Sequence, residues 1–364
     1  MRSRVKNFFK QAPDVDAVAL VNSESPHVDL SFYYLTDLVE GGIFEGNACV
    51  ALPNGKVHVA TNSLEEQSAR RAKDATISVY ASRKEREDIV RKALGGAKRV
   101  GFHGREITYV AWESLKRSLP KGAKLVDVSE PMLRARLFKD EIEIDRIKKA
   151  ADIASKVALE IPDFLAAGKT EREHAAELND RMQRRGASGP SFSTITSFGE
   201  NAAEPHAFPT DRKLRKGDYA LFDFGAWYKM YASDITRTFV FGKATREQRE
   251  VYDIVREAQQ VGFDAIHHGA KAANVHNDVA AVIDKTKYKG RFIHSTGHSV
   301  GLAVHDGGRI AAQSDLVLEE GMVFTVEPGI YVPGWGGVRI EDDVLVTRNG
   351  MKLLTTAHRD FVEA

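Results

Sequence analysis

The hydrophobic and polar positions divide the chain into two parts, and the first part alternates short strands with helices. Apolar runs with the length of buried strands lie at 15–21, 48–52, 56–60, 99–102 and 124–128. Between them, segments 63–72 and 83–94 have helical spacing, with Ser63 and Ser82 in the position of N-caps. This alternation predicts a small α/β domain over residues 1–130.

The second part, 131–364, begins with a charged helical stretch at 131–163, which we interpret as a solvated connecting helix. Strand patterns follow at 219–224, 236–241, 321–326 and 338–346. Helical patterns at 246–267 and 272–285 stand apart from these strands. Because helices and strands are segregated rather than alternating, the pattern favours an α+β domain with antiparallel sheet over a doubly wound fold.

Composition and charge exclude several classes of protein. Of the 364 residues, 43% are hydrophobic and 28% are charged, values typical of globular chains and unlike those of disordered or fibrous ones. The net charge of +1 provides no field that would attract nucleic acid or an anionic membrane, so we expect neither partner. No apolar run approaches the roughly 18 residues of a membrane span, and the basic N-terminus lacks the apolar region of a signal peptide. Cys49 is the only cysteine, which leaves no intrachain disulfide or Cys-cluster zinc site. These observations predict a cytoplasmic protein.

Four acidic residues lie where a buried core is expected. Asp223 and Asp234 are embedded in apolar strand patterns 11 positions apart, and Glu327 and Glu341 form a second such pair 14 positions apart. Each pair spans a hairpin-like connection that can bring its carboxylates together. An unpaired buried carboxylate costs several kcal/mol or more, so each must be neutralised, paired or bound to a metal ion.

Charge balance favours metal ions. Arg237 and Arg339 are the only basic residues within these strand patterns, and two guanidinium groups cannot neutralise four carboxylates. Two divalent cations would bring the sum to zero, and segment 294–306, with three of the 12 histidines, offers a neutral ligand in His298. Any one of these residues alone is more often a cap, a turn residue or a core histidine. Together they indicate an oxygen-rich site with one imidazole, a set that suits Mn²⁺, Co²⁺, Fe²⁺ or Zn²⁺.

The same residues stand in motifs that resemble those of the Xaa-Pro peptidases, including the prolidases (Xaa-Pro dipeptidases). The matching segments, in chain order, are 223–226, 233–238, 297–302, 326–331 and 337–342. These enzymes belong to the pita-bread metallopeptidase family, together with methionine aminopeptidase and creatinase. The resemblance covers 189–347 and extends more weakly to 32–36, which is similar to a substrate-side strand of the N-terminal domain in prolidases and creatinases. It implies a pita-bread catalytic domain after a smaller creatinase/prolidase-like α/β domain, and a homodimer.

Carried over residue by residue, the resemblance implies two divalent ions, with Mn²⁺ or Co²⁺ expected first and Zn²⁺ or Fe²⁺ as alternatives. The implied ligands are Asp223, Asp234, His298, Glu327 and Glu341. Asp234 and Glu341 would bridge the ions. A hydroxide shared by ions roughly 3.5–4 Å apart would attack the scissile carbonyl. Glu327 would also relay the proton from water to the leaving nitrogen.

Three further positions match residues that contact substrate in the family. His206, in segment 205–209, is implied to contact substrate and to assist the tetrahedral intermediate, and His305 to touch the substrate amide. Arg309 matches an arginine that can bind the terminal carboxylate of a dipeptide, a natural use of a planar bidentate donor. For His206 and Arg309, an ordinary loop position is the alternative.

The leading interpretation is hydrolysis of Xaa-Pro bonds in dipeptides. Aminopeptidase P, which releases the first residue from longer Xaa-Pro peptides, is the alternative, since His305–Asp306 matches its pattern whereas segment 205–207 favours the dipeptidase. Retained acids argue against a creatinase-like enzyme, and the additional N-terminal domain argues against methionine aminopeptidase. A non-catalytic peptide-binding protein is the least favoured reading because every ligand type is present.

Overall fold

The computed structural model describes residues 2–23 and 27–364. The chain forms two compact units, Met1–Arg136 and Leu137–Ala364. Among the helices of the described residues, none is both long and apolar enough to cross a bilayer.

The first unit contains a mixed sheet surrounded by helices. Its helices are α1 (Arg2–Gln11), α2 (Leu30–Thr36), α3 (Glu66–Ala69), α4 (Arg83–Leu94), α5 (Tyr109–Ser118) and α6 (Ser129–Leu137, ending just inside the second unit). Its strands are β1 (Ala17–Val21), β2 (Ala48–Ala51), β3 (Val57–Asn62), β4 (Ala75–Tyr80), β5 (Arg99–Phe102) and β6 (Lys124–Asp127). The strand order is β4-β3-β2-β1-β5-β6, with antiparallel pairing only within β1–β2–β3. Apolar residues of α4 and α5 pack on this sheet.

Two local predictions for the first unit are wrong. Ser63 does not cap a helix: α3 begins only at Glu66 and has no side-chain cap, whereas Ser82 caps α4 as predicted by accepting from the backbone N–H of Glu85. Segment 32–36, expected to be a strand, belongs to α2, where the Asp29 side chain accepts from the backbone N–H of Ser31. Residues 31–36 of α2 are all buried, so the helix has no polar face from which its period could be detected.

The second unit combines long helices with short antiparallel strands. Its helices are α7 (Glu141–Phe164), α8 (Glu171–Arg184), α9 (Arg246–Ala265) and α10 (Ala272–Asp284), with a 3₁₀ helix at Gly199–Ala203. The strands before α9 are β7 (Gly189–Pro190), β8 (Ile195–Phe198), β9 (Tyr219–Phe224), β10 (Ala226–Tyr228), β11 (Tyr231–Ala232) and β12 (Ile235–Val240). The strands after α10 are β13 (Gly297–His298), β14 (Arg309–Ile310), β15 (Val323–Val326), β16 (Gly329–Val332), β17 (Gly336–Arg339), β18 (Asp342–Thr347) and β19 (Gly350–Leu353).

Antiparallel pairing organises these strands into the orders β12-β9-β8, β11-β10-β7, β15-β18-β19, β16-β17 and β13-β14. Apolar residues of α7 and α8 pack against β9 and β12, while α9 and α10 pack against β15, β17 and β18. The segregation of helices and antiparallel strands confirms the predicted α+β class for this unit. The strand ends that carry the acidic residues are thus held between packed helices.

The charged stretch 131–163 is not a solvated connector. It forms most of α6 and most of α7, which are separate helices, and one stripe of α7 is fully buried at Ile147, Ala154, Val157 and Ile161. The helical spacing of an apolar stripe is apparent in the sequence, whereas its complete burial depends on packing against segments that the local pattern does not show.

Candidate active site

The structure brings the eight residues singled out from the sequence around one cavity of about 580 Å³ in the second unit. They are His206, Asp223, Asp234, His298, His305, Arg309, Glu327 and Glu341. The first and last of them are 135 positions apart in the chain, so tertiary contacts alone assemble the set.

Asp223 and Asp234 come from neighbouring antiparallel strands. Asp223 lies near the end of β9, and Asp234 directly precedes β12. The register pairs Asp223 with Thr236, which brings the carboxylates to the same edge of the sheet, as the hairpin spacing predicted. Asp343 fixes this corner because its Oδ2 accepts from the Asp234 backbone N–H at 3.0 Å.

Glu341 and Glu327 reach the same edge from the β15–β18 sheet. Glu341 forms an isolated bridge with Thr236, whose Oγ1 donates to Glu341 Oε2 at 2.6 Å. Glu327 directly follows β15, and Thr325 Oγ1 donates to its Oε1 at 3.1 Å. Threonine hydroxyls therefore orient both carboxylates.

His298 completes the group from β13. Its backbone N–H donates to Thr325 Oγ1 at 3.0 Å, and its Nε2 lies 3.4 Å from Glu327 Oε1 and 3.6 Å from Asp234 Oδ2. The preceding Gly297 permits this approach, because a Cβ there would lie 1.9 Å from the Thr325 carbonyl oxygen. A glycine is therefore required next to the imidazole.

The carboxylates carry more negative charge than their surroundings neutralise. Burial raises the pKa of Asp234 well above its ordinary value, and the nearby Glu341 and Asp223 carboxylates add to the effect. The pKa of Glu341 is raised in the same way, by burial and then by Glu327. Burial also raises the pKa of Glu327 to about 8, although Arg339 opposes the shift. Like charges held this close cannot all ionise without a counter-cation.

Arg339 pairs directly with Asp223 within the group. Its Nη2 donates to Asp223 Oδ2 at 2.6 Å, while Nη1 donates to the Tyr331 hydroxyl at 2.8 Å and Nε to Thr236 Oγ1 at 3.1 Å. Arg237, the other arginine of these strands, pairs with Asp342 instead. The remaining acids need a different source of positive charge.

The donor set fits a divalent cation. One ligand atom from each of Asp234, His298 and Glu341 lies within 4.8 Å of the other two. Within the described residues, Asp223 Oδ1, Asp234 Oδ1 and His298 Nδ1 are buried without a hydrogen-bond partner. Burial, with a smaller effect of His305, lowers the pKa of His298 to about 3, so the imidazole is neutral and able to ligate. A cation would relieve both the charge excess and the unsatisfied oxygens.

The three residues expected to contact substrate lie on the exposed side of the cavity. His206 and Pro205 line it from the loop after the 3₁₀ helix. The His305 ring packs edge-on against that of His298, with centroids 4.2 Å apart. Arg309 pairs with His298 across β13 and β14, which places it beside the carboxylate group.

Two further histidines that received no role from the sequence also line the cavity. His294 Nε2 lies 2.8 Å from the Tyr331 hydroxyl, and its Nδ1 lies 3.8 Å from Glu327 Oε2. Burial, followed by Arg339, lowers the pKa of His294 to about 3. His276, on α10, shares a hydrogen bond of 3.0 Å between its Nδ1 and Thr296 Oγ1. The histidine-rich segment 294–306 pointed toward His294, whereas His276 lies on an ordinary amphipathic helix with no signal of its own.

The fold and this site are those of a metallopeptidase, and comparison with family models agrees. Residues 145–348 match metallopeptidase family M24, and residues 8–138 match the creatinase/prolidase N-terminal domain. The chain therefore belongs to metallopeptidase family M24, which confirms the predicted pita-bread fold and the predicted class of metal-dependent hydrolase.

Individual relatives make the comparison more specific. A Pyrococcus horikoshii protein named Xaa-Pro dipeptidase is 34% identical over 366 residues, covering all of this chain and 99% of the relative. Among solved structures, the Xaa-Pro dipeptidase from Bacillus anthracis superposes with a TM-score of 0.89 at 32% identity, covering 100% of this chain and 99% of the other. The X-Pro aminopeptidase from Thermotoga maritima also gives a TM-score of 0.89 at 30% identity, over 97% and 99% of the two chains.

Proposed function

We propose that this protein hydrolyses the Xaa-Pro bond of dipeptides with the aid of two divalent metal ions, Mn²⁺ or Co²⁺ in the first place. The observation that carries the proposal is the convergence of four carboxylates and a neutral imidazole on one cavity, next to two further histidines and an arginine. The Xaa-Pro dipeptidases among its relatives support the choice of substrate.

In this proposal the metal ligands are Asp223, Asp234, His298, Glu327 and Glu341. Ions held there would supply Lewis-acid polarisation of the scissile carbonyl and activation of water. Arg339 orients Asp223 for this role, because it donates a hydrogen bond to Oδ2 and leaves Oδ1 available to bind an ion. Thr236 and Thr325 orient Glu341 and Glu327 in the same manner.

Glu327 moves the proton. Cleavage of an Xaa-Pro bond releases the secondary amine of proline, so a proton must be delivered to the leaving nitrogen. Glu327 lines the cavity and can accept a proton from water and pass it to the leaving nitrogen. His206 and His305 supply hydrogen bonds to substrate. Burial and the neighbouring Arg309 lower the pKa of His305, which keeps its imidazole neutral in this role.

Arg309 sets the length of the substrate. A dipeptide ends in a carboxylate one residue after the scissile carbonyl, and an exposed guanidinium at the cavity can bind that carboxylate with two hydrogen bonds. Aminopeptidase P activity is the second candidate, favoured by His305–Asp306 and by the similarity to the Thermotoga structure.

The decisive experiment measures proline release together with metal content. Chelator-stripped protein should be inactive on Met-Pro and Leu-Pro, and Mn²⁺ or Co²⁺ should restore turnover at two ions per chain. The variant Asp223→Asn should bind less metal and lose turnover even at saturating metal. The matched control is Asp253→Asn, an exposed carboxylate of α9 that lies 3.5 Å from Arg256. Full activity in the Asp223 variant, or in stripped protein, would refute the proposal.

A tripeptide Xaa-Pro-Yaa distinguishes the two enzyme classes. Preference for the dipeptide supports the main proposal, and faster release of the first residue from the tripeptide supports aminopeptidase P.

We further propose that the protein acts as a homodimer, as the family resemblance implies, and that it is cytoplasmic, as its composition and single cysteine predict. Light scattering of the purified chain and cell fractionation test these two points.

A further inference from the structure

Glu171 is a buried carboxylate outside the cavity that the proposed mechanism does not use. It is the first residue of α8 and is only 1% exposed. Helix capping does not account for it, because Thr170 and Glu173 already form the capping box of α8. A buried carboxylate is stable only where hydrogen-bond donors surround it, so the donors around Glu171 indicate its structural role.

Four hydrogen bonds satisfy this carboxylate. Its Oε1 accepts from the Phe198 backbone N–H at 2.8 Å and from Asn201 Nδ2 at 2.9 Å. Its Oε2 accepts from the Thr210 backbone N–H at 2.8 Å and from Thr210 Oγ1 at 2.5 Å. We call Glu171 and these three partner residues the Glu171 clamp. Hydrogen bonds to an ionised acceptor are roughly twice as strong as those between neutral groups.

The clamp joins the two ends of one loop. Phe198 and Asn201 stand at the start of segment 198–210, and Thr210 stands at its end. Between these ends the chain carries Pro205 and His206 to the cavity. Fixing both ends of a loop lowers the number of conformations that its middle can adopt. The carboxylate therefore restricts the position of an imidazole that it does not itself contact.

We infer that Glu171 is a positioning residue: it fastens both ends of segment 198–210 and thereby holds His206 in place to bind substrate. This inference rests on the proposed function, which assigns His206 to the substrate. Glu171 remains outside the metal ligands and the reacting atoms.

The first test is a double-mutant cycle on Xaa-Pro hydrolysis by the metal-loaded enzyme. Glutamine has the same size as glutamate, but in the Glu171→Gln variant an amide NH₂ group replaces one carboxylate oxygen. That group donates hydrogen bonds and cannot accept the two that the oxygen accepted. The substitution should lower kcat/KM for Leu-Pro by on the order of tenfold. In a His206→Ala background the same substitution should cost less than about twofold, because the residue it positions is already gone. Bound metal per chain should be unchanged throughout.

The second test is independent of activity. Hydrogen exchange of the backbone amides in 199–209 should accelerate in the Glu171→Gln variant, while exchange in β9 and β12 stays at the wild-type rate. Glu257→Gln is the control: it makes the same chemical change on the exposed face of α9 and should leave 199–209 unaffected. If the Glu171 variant fails to fold, Thr210→Val removes a single donor from the clamp and should show the same acceleration to a smaller degree.

Wild-type exchange in 199–209 overturns the inference, as does a loss of turnover equally large with and without His206. A different combination of results would show that the proposed function, and not this inference, is wrong. If His206→Ala hydrolyses Leu-Pro normally while exchange in the Glu171 variant rises, the role proposed for His206 is wrong and the clamp still restrains the loop.

Discussion

Replacing Arg237 by lysine should strongly destabilise the second unit. Arg237 is 3% exposed and sits on β12, just after Asp234. All five N–H groups of its guanidinium donate, over 2.7–2.9 Å, to the carbonyl oxygens of Thr236, Glu341, Ala357 and His358 and to Asp342 Oδ1. The side chain thus connects β12, the start of β18 and the C-terminal segment.

The magnitude follows from counting donors. Lysine has three N–H donors against five for arginine, so at least two of the five acceptors lose their partner. A buried acceptor left without a donor costs about 1–3 kcal/mol. The Arg237→Lys variant should therefore lose about 2–6 kcal/mol of unfolding free energy, even though its charge is retained. Lysine also cannot reproduce the planar geometry of the original contacts.

Urea unfolding followed by tryptophan fluorescence and circular dichroism measures this loss. Arg249→Lys serves as the control, because that side chain is 53% exposed and lies 3.4 Å from Glu363. An exposed ion pair of this kind contributes up to about 1 kcal/mol to the free energy of unfolding. A loss below about 1 kcal/mol in the Arg237 variant, or equal losses in both, would refute the reasoning. The variant should also bind metal more weakly, since the Glu341 carbonyl is one of the acceptors.

Three further predictions test other parts of the site. Arg309→Ala should reduce dipeptide hydrolysis far more than tripeptide hydrolysis, and equal losses on both would exclude a grip on the terminal carboxylate. Gly297→Ala should abolish metal binding or folding, because the new Cβ meets the Thr325 carbonyl at 1.9 Å, whereas Gly350→Ala meets nothing within 4 Å and should behave as wild type in both assays. The pKa of Glu327 is raised to about 8 from an ordinary 4.5, so the metal-free protein should lose stability as pH rises from 4.5 to 8, and bound metal should remove this dependence. Thermal unfolding with and without chelator measures the direction of the change in stability with pH. A metal-free protein whose stability does not change with pH would contradict the prediction.

Local sequence signals predicted some elements closely. The helix expected at 83–94 spans Arg83–Leu94 and is capped by Ser82, because an N-cap and a helical period act over a few neighbouring residues. The same signals failed at 32–36, where burial on all faces of α2 left no period to detect. At 131–163 they predicted a helix correctly, but they did not predict how deeply one side of α7 is buried. In both segments, packing against distant parts of the chain decided which residues are buried, and a local sequence pattern does not show that packing.

The sequence predicted those features of the candidate site that depend on residue type alone, namely its charge and its ligand atoms. Acids embedded in apolar strand patterns indicate a charge that must be compensated, whatever the fold. The contact of His294 with Tyr331 and the role of Glu171 could not be predicted in this way. A histidine beside Tyr331 or a carboxylate that joins Phe198 to Thr210 becomes meaningful only once strands and loops have met.

By itself the sequence determined the composition of the site: which carboxylates and imidazoles end which strands, and how much negative charge needs neutralising. Only the tertiary structure decided which of them converge, that Arg339 compensates Asp223 and Arg237 does not, and which buried carboxylate holds the His206 loop. The physical reason is range. Charge and side-chain periodicity are local properties of a chain, whereas strand pairing and side-chain contacts such as that of Arg339 with Asp223 join residues more than a hundred positions apart.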